Sequence, residues 1–281
     1  MRQVEVRPLC LAYEYNTQSG HDACVTMAPP CEVMPYSMTV ATPVGVFDSG
    51  VGGLSILSGI HQLLPAENLL YVADSAHAPY GPKGDAFILE RCERIMQFFL
   101  QHEVKAVVVA CNTATTNAIK ELRATYDIPF IGIEPAIKPA VNNSKTQTIG
   151  ILATKGTLSS ELFNKTIELY QGTNIIEQIG HGLVELIENG AINSPEMEKL
   201  LQSYLTPMIE KNIDYLVLGC SHYPYLIPKI KAILPTHIQI IDSGEAVARQ
   251  TQAVLKEKIG FSTIEKSSAV FYTNGNPKVL S

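Results

Sequence analysis

From residue 44 onward the chain alternates short, nearly continuous apolar runs with longer amphipathic ones, and this rhythm constrains its folding more than any single residue does. Such runs are strands covered on both faces and joined by crossover helices, so the predicted fold class is α/β, with mainly parallel sheet flanked by helices. The expected strands are 44–47, 69–73, 105–110, 129–133, 148–153, 174–178, 215–218 and 238–241. Helical patterns occupy 86–101, where Ile88, Cys92, Ile95 and Phe99 share one face, and 195–210, introduced by the capping residue Ser194. These stripes are core.

A weak internal repeat refines the prediction. Gly45-Val-Phe-Asp-Ser-Gly opens one half and Gly150-Ile-Leu-Ala-Thr-Lys-Gly the other, each a strand running into a glycine-containing turn. Later in each half an apolar strand runs straight into a cysteine, Cys111 before Asn112-Thr113 and Cys220 before Ser221-His222. Asp48 to Cys111 spans 63 residues and Ala153 to Cys220 spans 67. Two similar lobes are therefore expected, 38–136 plus 244–281 carrying Cys111 and 137–243 carrying Cys220, with the active site in the cleft between them. In open α/β sheets the carboxyl ends of the strands are where ligands bind.

Composition narrows the function. The 281 residues carry a net charge of -6 and no cluster of Lys and Arg, which argues against nucleic acid as a partner. No stretch reaches the roughly 18 apolar residues that span a bilayer, and the first 37 residues lack the basic start and apolar core of a secretion signal. Six cysteines are scattered without a CxxC pair, so no disulfide framework or zinc ribbon is expected, and a reducing cytoplasm is the expected home. Residues 1–37 show neither a period of 2 nor of 3.6, and are expected to form a poorly ordered extension, an upstream translation artefact or a tag-like leader ahead of a natural start at Met38.

Cys92, inside an amphipathic stripe, is an ordinary buried cysteine. Cys111 and Cys220 differ, because each ends a strand and is followed by polar residues, where backbone N–H groups of the next helix favour a thiolate and bind carboxylates. Two opposed thiols without metal or redox spacing point to two-base proton transfer at carbon, with inversion. No metal and no cofactor are called for. His222 stands two residues from Cys220, where it tunes or relays that thiol's proton. Asp48 either caps a helix or serves the cleft, and the glycines at 50, 52 and 53 permit positive φ and close approach. The turn-rich segment holding Asp74, Tyr80 and Gly81 is an exposed loop or a polar cover of the cleft.

Gly45-Val-Phe-Asp-Ser-Gly-Val-Gly-Gly-Leu-Ser, Ala78-Pro-Tyr-Gly, Ala110-Cys-Asn-Thr-Ala-Thr, Gly132-Ile-Glu-Pro, Leu218-Gly-Cys-Ser-His-Tyr-Pro and Phe271-Tyr-Thr-Asn-Gly-Asn-Pro, in that order, resemble the signature stretches of bacterial glutamate racemases, within the aspartate/glutamate racemase superfamily. The resemblance implies a cofactor-independent isomerase that interconverts L- and D-glutamate, the latter for peptidoglycan. It implies that Cys111 acts on the α-hydrogen of D-glutamate with help from Asp48. Cys220 would act on that of L-glutamate, helped by His222 and Glu188. Substrate would be bound by Asp48, Ser49, Tyr80, Gly81, Asn112, Thr113, Ser221 and His222, with Asp74 near the site. A homodimer and activation by a peptidoglycan precursor also occur in the family.

Two departures stand out from the family pattern: Gly219-Cys-Ser-His for the usual Gly-Cys-Thr-His, and Ala73-Asp-Ser-Ala-His for Gly-Asp-Thr-Ala-Arg. The nearest competing reading is an aspartate or hydantoin racemase. From another class comes a two-lobed binding protein that closes on an amino acid without chemistry.

Overall fold

The computed structural model describes residues 5–8, 41–264 and 267–276. Along the chain run β1 (Glu5–Pro8), β2 (Val44–Asp48), α1 (Leu54–Leu63), β3 (Leu69–Ala73), α2 (Asp85–Gln101), β4 (Ala106–Val109), α3 (Asn112–Thr125) and β5 (Phe130–Gly132). Then follow α4 (Ile137–Asn143), β6 (Thr148–Ala153), α5 (Lys155–Leu158), α6 (Glu161–Glu168), β7 (Asn174–Ile179), α7 (Leu183–Glu188), α8 (Pro195–Glu210), β8 (Tyr215–Gly219), α9 (Ile227–Ile233) and β9 (Gln239–Ile241). The last two are α10 (Gly244–Lys258) and β10 (Ala269–Thr273).

The strands form two sheets in which every pairing is parallel, ordered β1-β10-β3-β2-β4-β5 and β7-β6-β8-β9. The segment β3-β2-β4-β5 of the first sheet has the same order as the whole second sheet, so the internal repeat in the sequence is a repeat of four strands. Every residue of β2, β3 and β4 is buried, as their unbroken apolar runs require, whereas the edge strand β7 is partly exposed throughout. The stripe Ile88, Cys92, Ile95 and Phe99 of α2 is fully buried, and the Phe99 ring lies about where a side chain on Gly45 would begin, 3.1 Å from an added Cβ. Ser194 caps α8, its Oγ accepting from the Met197 N–H at 3.2 Å.

Eight strands match the sequence reading to within about two residues, because hydrophobic runs are set by burial and only their ends by turns. Two strands were not foreseen. β10 slots in beside β3 after the chain has returned from the second sheet, and β1 pairs with β10 at the sheet edge. Within 1–37, where little regular structure is expected, Glu5–Pro8 forms a strand; the remainder of that extension lies outside the described residues. The chain crosses between the sheets after β5 and again after β9, and there the Ser243 hydroxyl donates to the Glu134 carbonyl, tying one crossing to the other. α10 then packs on α1 and against β5.

Candidate active site

In each four-strand unit the order reverses between the first and third strands, opening a crevice at their carboxyl ends. Asp48 is the last residue of β2, and Cys111 follows β4 as the N-cap of α3. In the second unit Thr154 follows β6, and Cys220 follows β8. The two crevices face each other and enclose one cavity, lined by Ser49, Pro79, Tyr80, Gly81, Cys111, Asn112, Thr113, Thr154, Val184, Cys220, Ser221 and His222. A wider groove between α2, α3 and α6 is lined by charges of both signs, among them Lys120, Glu134, Glu161 and Lys165, and contains neither thiol.

The first half-site is built on Cys111, 4% exposed. Its Sγ accepts from the Ala114 N–H at 3.5 Å and lies 3.6 Å from Ser49 Oγ. Behind it Asp48 is fully buried, accepting from the Gly50 N–H at 2.8 Å and, across the cleft, from the Ser221 hydroxyl at 2.7 Å. Burial, with the Asp48 charge, pushes the Cys111 thiol up to about 12, and pushes the Asp48 carboxyl up as well. The N–H at the helix N-terminus acts in the expected direction, toward the thiolate, but it and the Ser49 hydroxyl do not offset desolvation and a neighbouring carboxylate.

The second half-site is a row of three side chains, Cys220, His222 and Glu188. Cys220 Sγ lies 3.9 Å from His222 Nδ1, and His222 Nε2 lies 2.5 Å from Glu188 Oε1. Burial alone would pull His222 down, but Cys220, Glu188 and Asp48 around it outweigh that and raise it well above the usual imidazole range. Glu188, at the end of α7, also accepts from the Val51 N–H of the opposite lobe at 2.7 Å. The 50–53 turn lies directly on this row. A Cβ on Gly50 would meet Glu188 Oε1 at 1.8 Å, and one on Gly52 would meet His222 Nδ1 at 2.4 Å. None of these glycines adopts positive φ, so close approach, not backbone handedness, demands glycine.

Polar groups complete the walls. Both polar atoms of the Asn112 carboxamide are buried without a hydrogen-bond partner, an arrangement that awaits a ligand. Thr113 Oγ1 contacts Thr154 Oγ1 at 2.8 Å and Thr157 Oγ1 at 3.5 Å, a hydroxyl cluster that joins the lobes. Asp74 does not line the cavity. It receives two hydrogen bonds from Arg91 at 2.8 and 2.9 Å, and others from Tyr80 at 2.5 Å, from His77 and from Asn274. Burial works against its charge, but Arg91 and Tyr80 hold its carboxyl below the usual range. Its part is to anchor Tyr80 and hence the loop over the cleft.

Of the residues singled out from sequence, Ser49, Tyr80, Gly81, Cys111, Asn112, Thr113, Cys220, Ser221 and His222 converge on the cavity, with Asp48 and Glu188 directly behind. Thr154, Thr157 and Val184 were missed. Thr154 was within reach of the repeat, since it follows β6 as Ser49 follows β2.

The chain matches the family model described as Asp/Glu/Hydantoin racemase over residues 44–251. It is 45% identical over 242 residues to a glutamate racemase of Pseudomonas putida, covering 85% of this chain and 91% of that protein. The fold superposes on a glutamate racemase isoform from Bacillus anthracis with TM-score 0.77 at 32% identity, over 85% of this chain and 90% of that one. It likewise superposes on the Escherichia coli glutamate racemase in complex with L-glutamate and the activator UDP-MurNAc-Ala, with TM-score 0.75 at 34% identity, over 82% and 89%. Opposed strand-end thiols and these likenesses agree: the chain belongs to the Asp/Glu/hydantoin racemase family and is an isomerase, an amino-acid racemase.

Proposed function

We propose that this protein interconverts L- and D-glutamate by two-base proton transfer without a cofactor, and that the D-glutamate serves peptidoglycan synthesis. The reading rests on the two buried thiols that face one cavity from the matching ends of two repeated sheets, each backed by its own carboxylate. The substrate choice is supported by the named relatives. The lobes are 38–136 plus 244–281 and 137–243. A peptidoglycan precursor, of the class bound by the Escherichia coli relative, is the proposed activator.

Toward the D isomer, Cys220 removes the α-hydrogen as a sulfur anion and Cys111 delivers its thiol proton to the opposite face. For that step Cys111 is held as a thiol, and the His222 imidazolium stands 3.9 Å from Cys220 Sγ. Positioned acids and bases supply typically 10²- to 10⁴-fold, too little for an α-hydrogen beside an ionised carboxylate. The larger share comes from donors placed where charge develops, here the free carboxamide of Asn112 and the hydroxyl of Thr113, in a cavity lined by buried residues.

Proton NMR of L-glutamate in D₂O, with circular dichroism on the same sample, tests the reading. Loss of the α-proton signal and of optical activity without added cofactor is expected. Either Cys111→Ala or Cys220→Ala should abolish racemisation with the fold retained. A substantially active single mutant, or exchange with aspartate and not glutamate, would count against it.

A further inference from the structure

A two-base racemase finishes each turnover in the wrong protonation state for the next. When L-glutamate becomes D-glutamate, the Cα–H bond breaks toward Cys220, and a new one forms from the Cys111 thiol. The enzyme is left with a Cys220 thiol and a Cys111 anion. Before another L-glutamate can react, one proton must travel from Cys220 to Cys111. All five groups involved are screened from bulk water, none more than 6% exposed: Asp48, Cys111, Cys220, Ser221 and His222.

A chain of polar atoms runs from Cys220 to Asp48, which lies behind the first half-site. Cys220 Sγ is 3.9 Å from His222 Nδ1, that nitrogen is 3.4 Å from Ser221 Oγ, and Ser221 Oγ donates to Asp48 Oδ2 at 2.7 Å. Asp48 ends β2, the strand paired with the β4 that leads into Cys111, and its charge acts on that thiol. Gly52 seals the chain from above, because a Cβ there would come within 2.4 Å of His222 Nδ1 and 2.6 Å of Ser221 Oγ.

We propose that Ser221 is a proton bridge that resets the enzyme between turnovers, passing the proton gained by Cys220 through His222 and Asp48 to Cys111. The steps balance. The His222 imidazolium gives its Nδ1 proton to Ser221 Oγ while Ser221 releases its own hydroxyl proton to Asp48. Asp48 passes a proton to the Cys111 anion. The Cys220 thiol then returns a proton to His222 Nδ1 and becomes an anion, and imidazolium, hydroxyl and carboxylate are back in their starting forms. Burial, which raises the Asp48 carboxyl above its ordinary range, makes it a competent acceptor. The same serine hydroxyl that borders the substrate thus has a second task when substrate is gone.

The inference rests on the two-base reading, and the experiment separates the two. With the full-length enzyme and L-glutamate, rapid-quench measurement of the first turnover is compared with the steady-state rate, together with the pattern of inhibition by D-glutamate. In Ser221→Ala the steady-state rate should fall about 10²-fold, within the usual worth of a positioned proton-transfer group, while the first turnover falls much less. A burst of about one D-glutamate per site and noncompetitive inhibition by D-glutamate should then appear, because free enzyme accumulates in the wrong protonation state. Ser221→Thr, which keeps a hydroxyl, should restore the wild-type ratio. Equal loss of first turnover and steady state in Ser221→Ala, including complete loss of both, would overturn the bridge and put the hydroxyl in the chemical step itself. Failure of the wild-type enzyme to form any D-glutamate would instead sink the racemase reading.

Discussion

At the scale of single residues the site is governed by burial as much as by charge. Cys111 is raised to about 12 first by desolvation and then by Asp48, so near neutral pH it is almost wholly thiol. A thiolate is the species that alkylating reagents attack, so Cys111 in the free enzyme should react slowly with iodoacetamide at pH 8 and faster as pH rises toward 12. Asp48→Asn removes one raising influence and should speed Cys111 labelling at any fixed pH in that range, read by peptide mass spectrometry. Glu188 acts on His222 in the same sense. Removing its charge in Glu188→Gln lets the imidazolium lose its proton at lower pH, because one of the groups that raise it is gone. The alkaline limb of kcat/KM should move to lower pH, and kcat should drop by about 10²-fold. Much of this was legible early: two strand-end cysteines and the histidine beside one of them are visible in the letters. That Cys111 is held protonated was not, because desolvation depends on what packs above the sulfur.

At the scale of elements, the 50–53 turn decides whether the half-sites meet. An added methyl on Gly50 would strike Glu188 Oε1 at 1.8 Å, and that atom is the tip of a flexible side chain. The carboxylate can therefore swing aside at little cost to the fold, but in doing so it leaves His222 and the Val51 N–H. Gly50→Ala should accordingly lower kcat by about 10²-fold, as misplacements of about 1 Å do, while Tm changes by only a few degrees. A large fall in Tm with kcat preserved in the folded fraction would contradict this account. Glycine at these positions was visible in the sequence and its cause was not. Positive φ is a local property, whereas the partner that demands glycine here comes from α7, some 137 residues away.

For the whole molecule, the edge of the first sheet opposite the cavity carries the other constraint. Lys105 precedes β4 and is fully buried, its Nζ 2.6 Å from Glu67 Oε2, while Glu67 Oε1 accepts from the Ser262 N–H at 2.8 Å. Breaking such a pair strands a buried charge, so Lys105→Ala should cost about 3–5 kcal/mol in urea denaturation, with the rate per folded molecule nearly unchanged. Alternation of apolar runs, the near-equal spacing of the two halves and the strand-end cysteines determined the α/β class, the two-lobed plan and which thiols face the cavity, because each is carried by neighbouring residues or by a repeat within the chain. Only the tertiary structure decided that Glu5–Pro8 and β10 extend one sheet, that Thr154 and Thr157 meet Thr113, that Asp74 anchors a loop without entering the cavity, and that Ser221 bridges Asp48 and His222. Most of these join residues far apart in sequence, and which of them meet is fixed by how the chain packs in three dimensions.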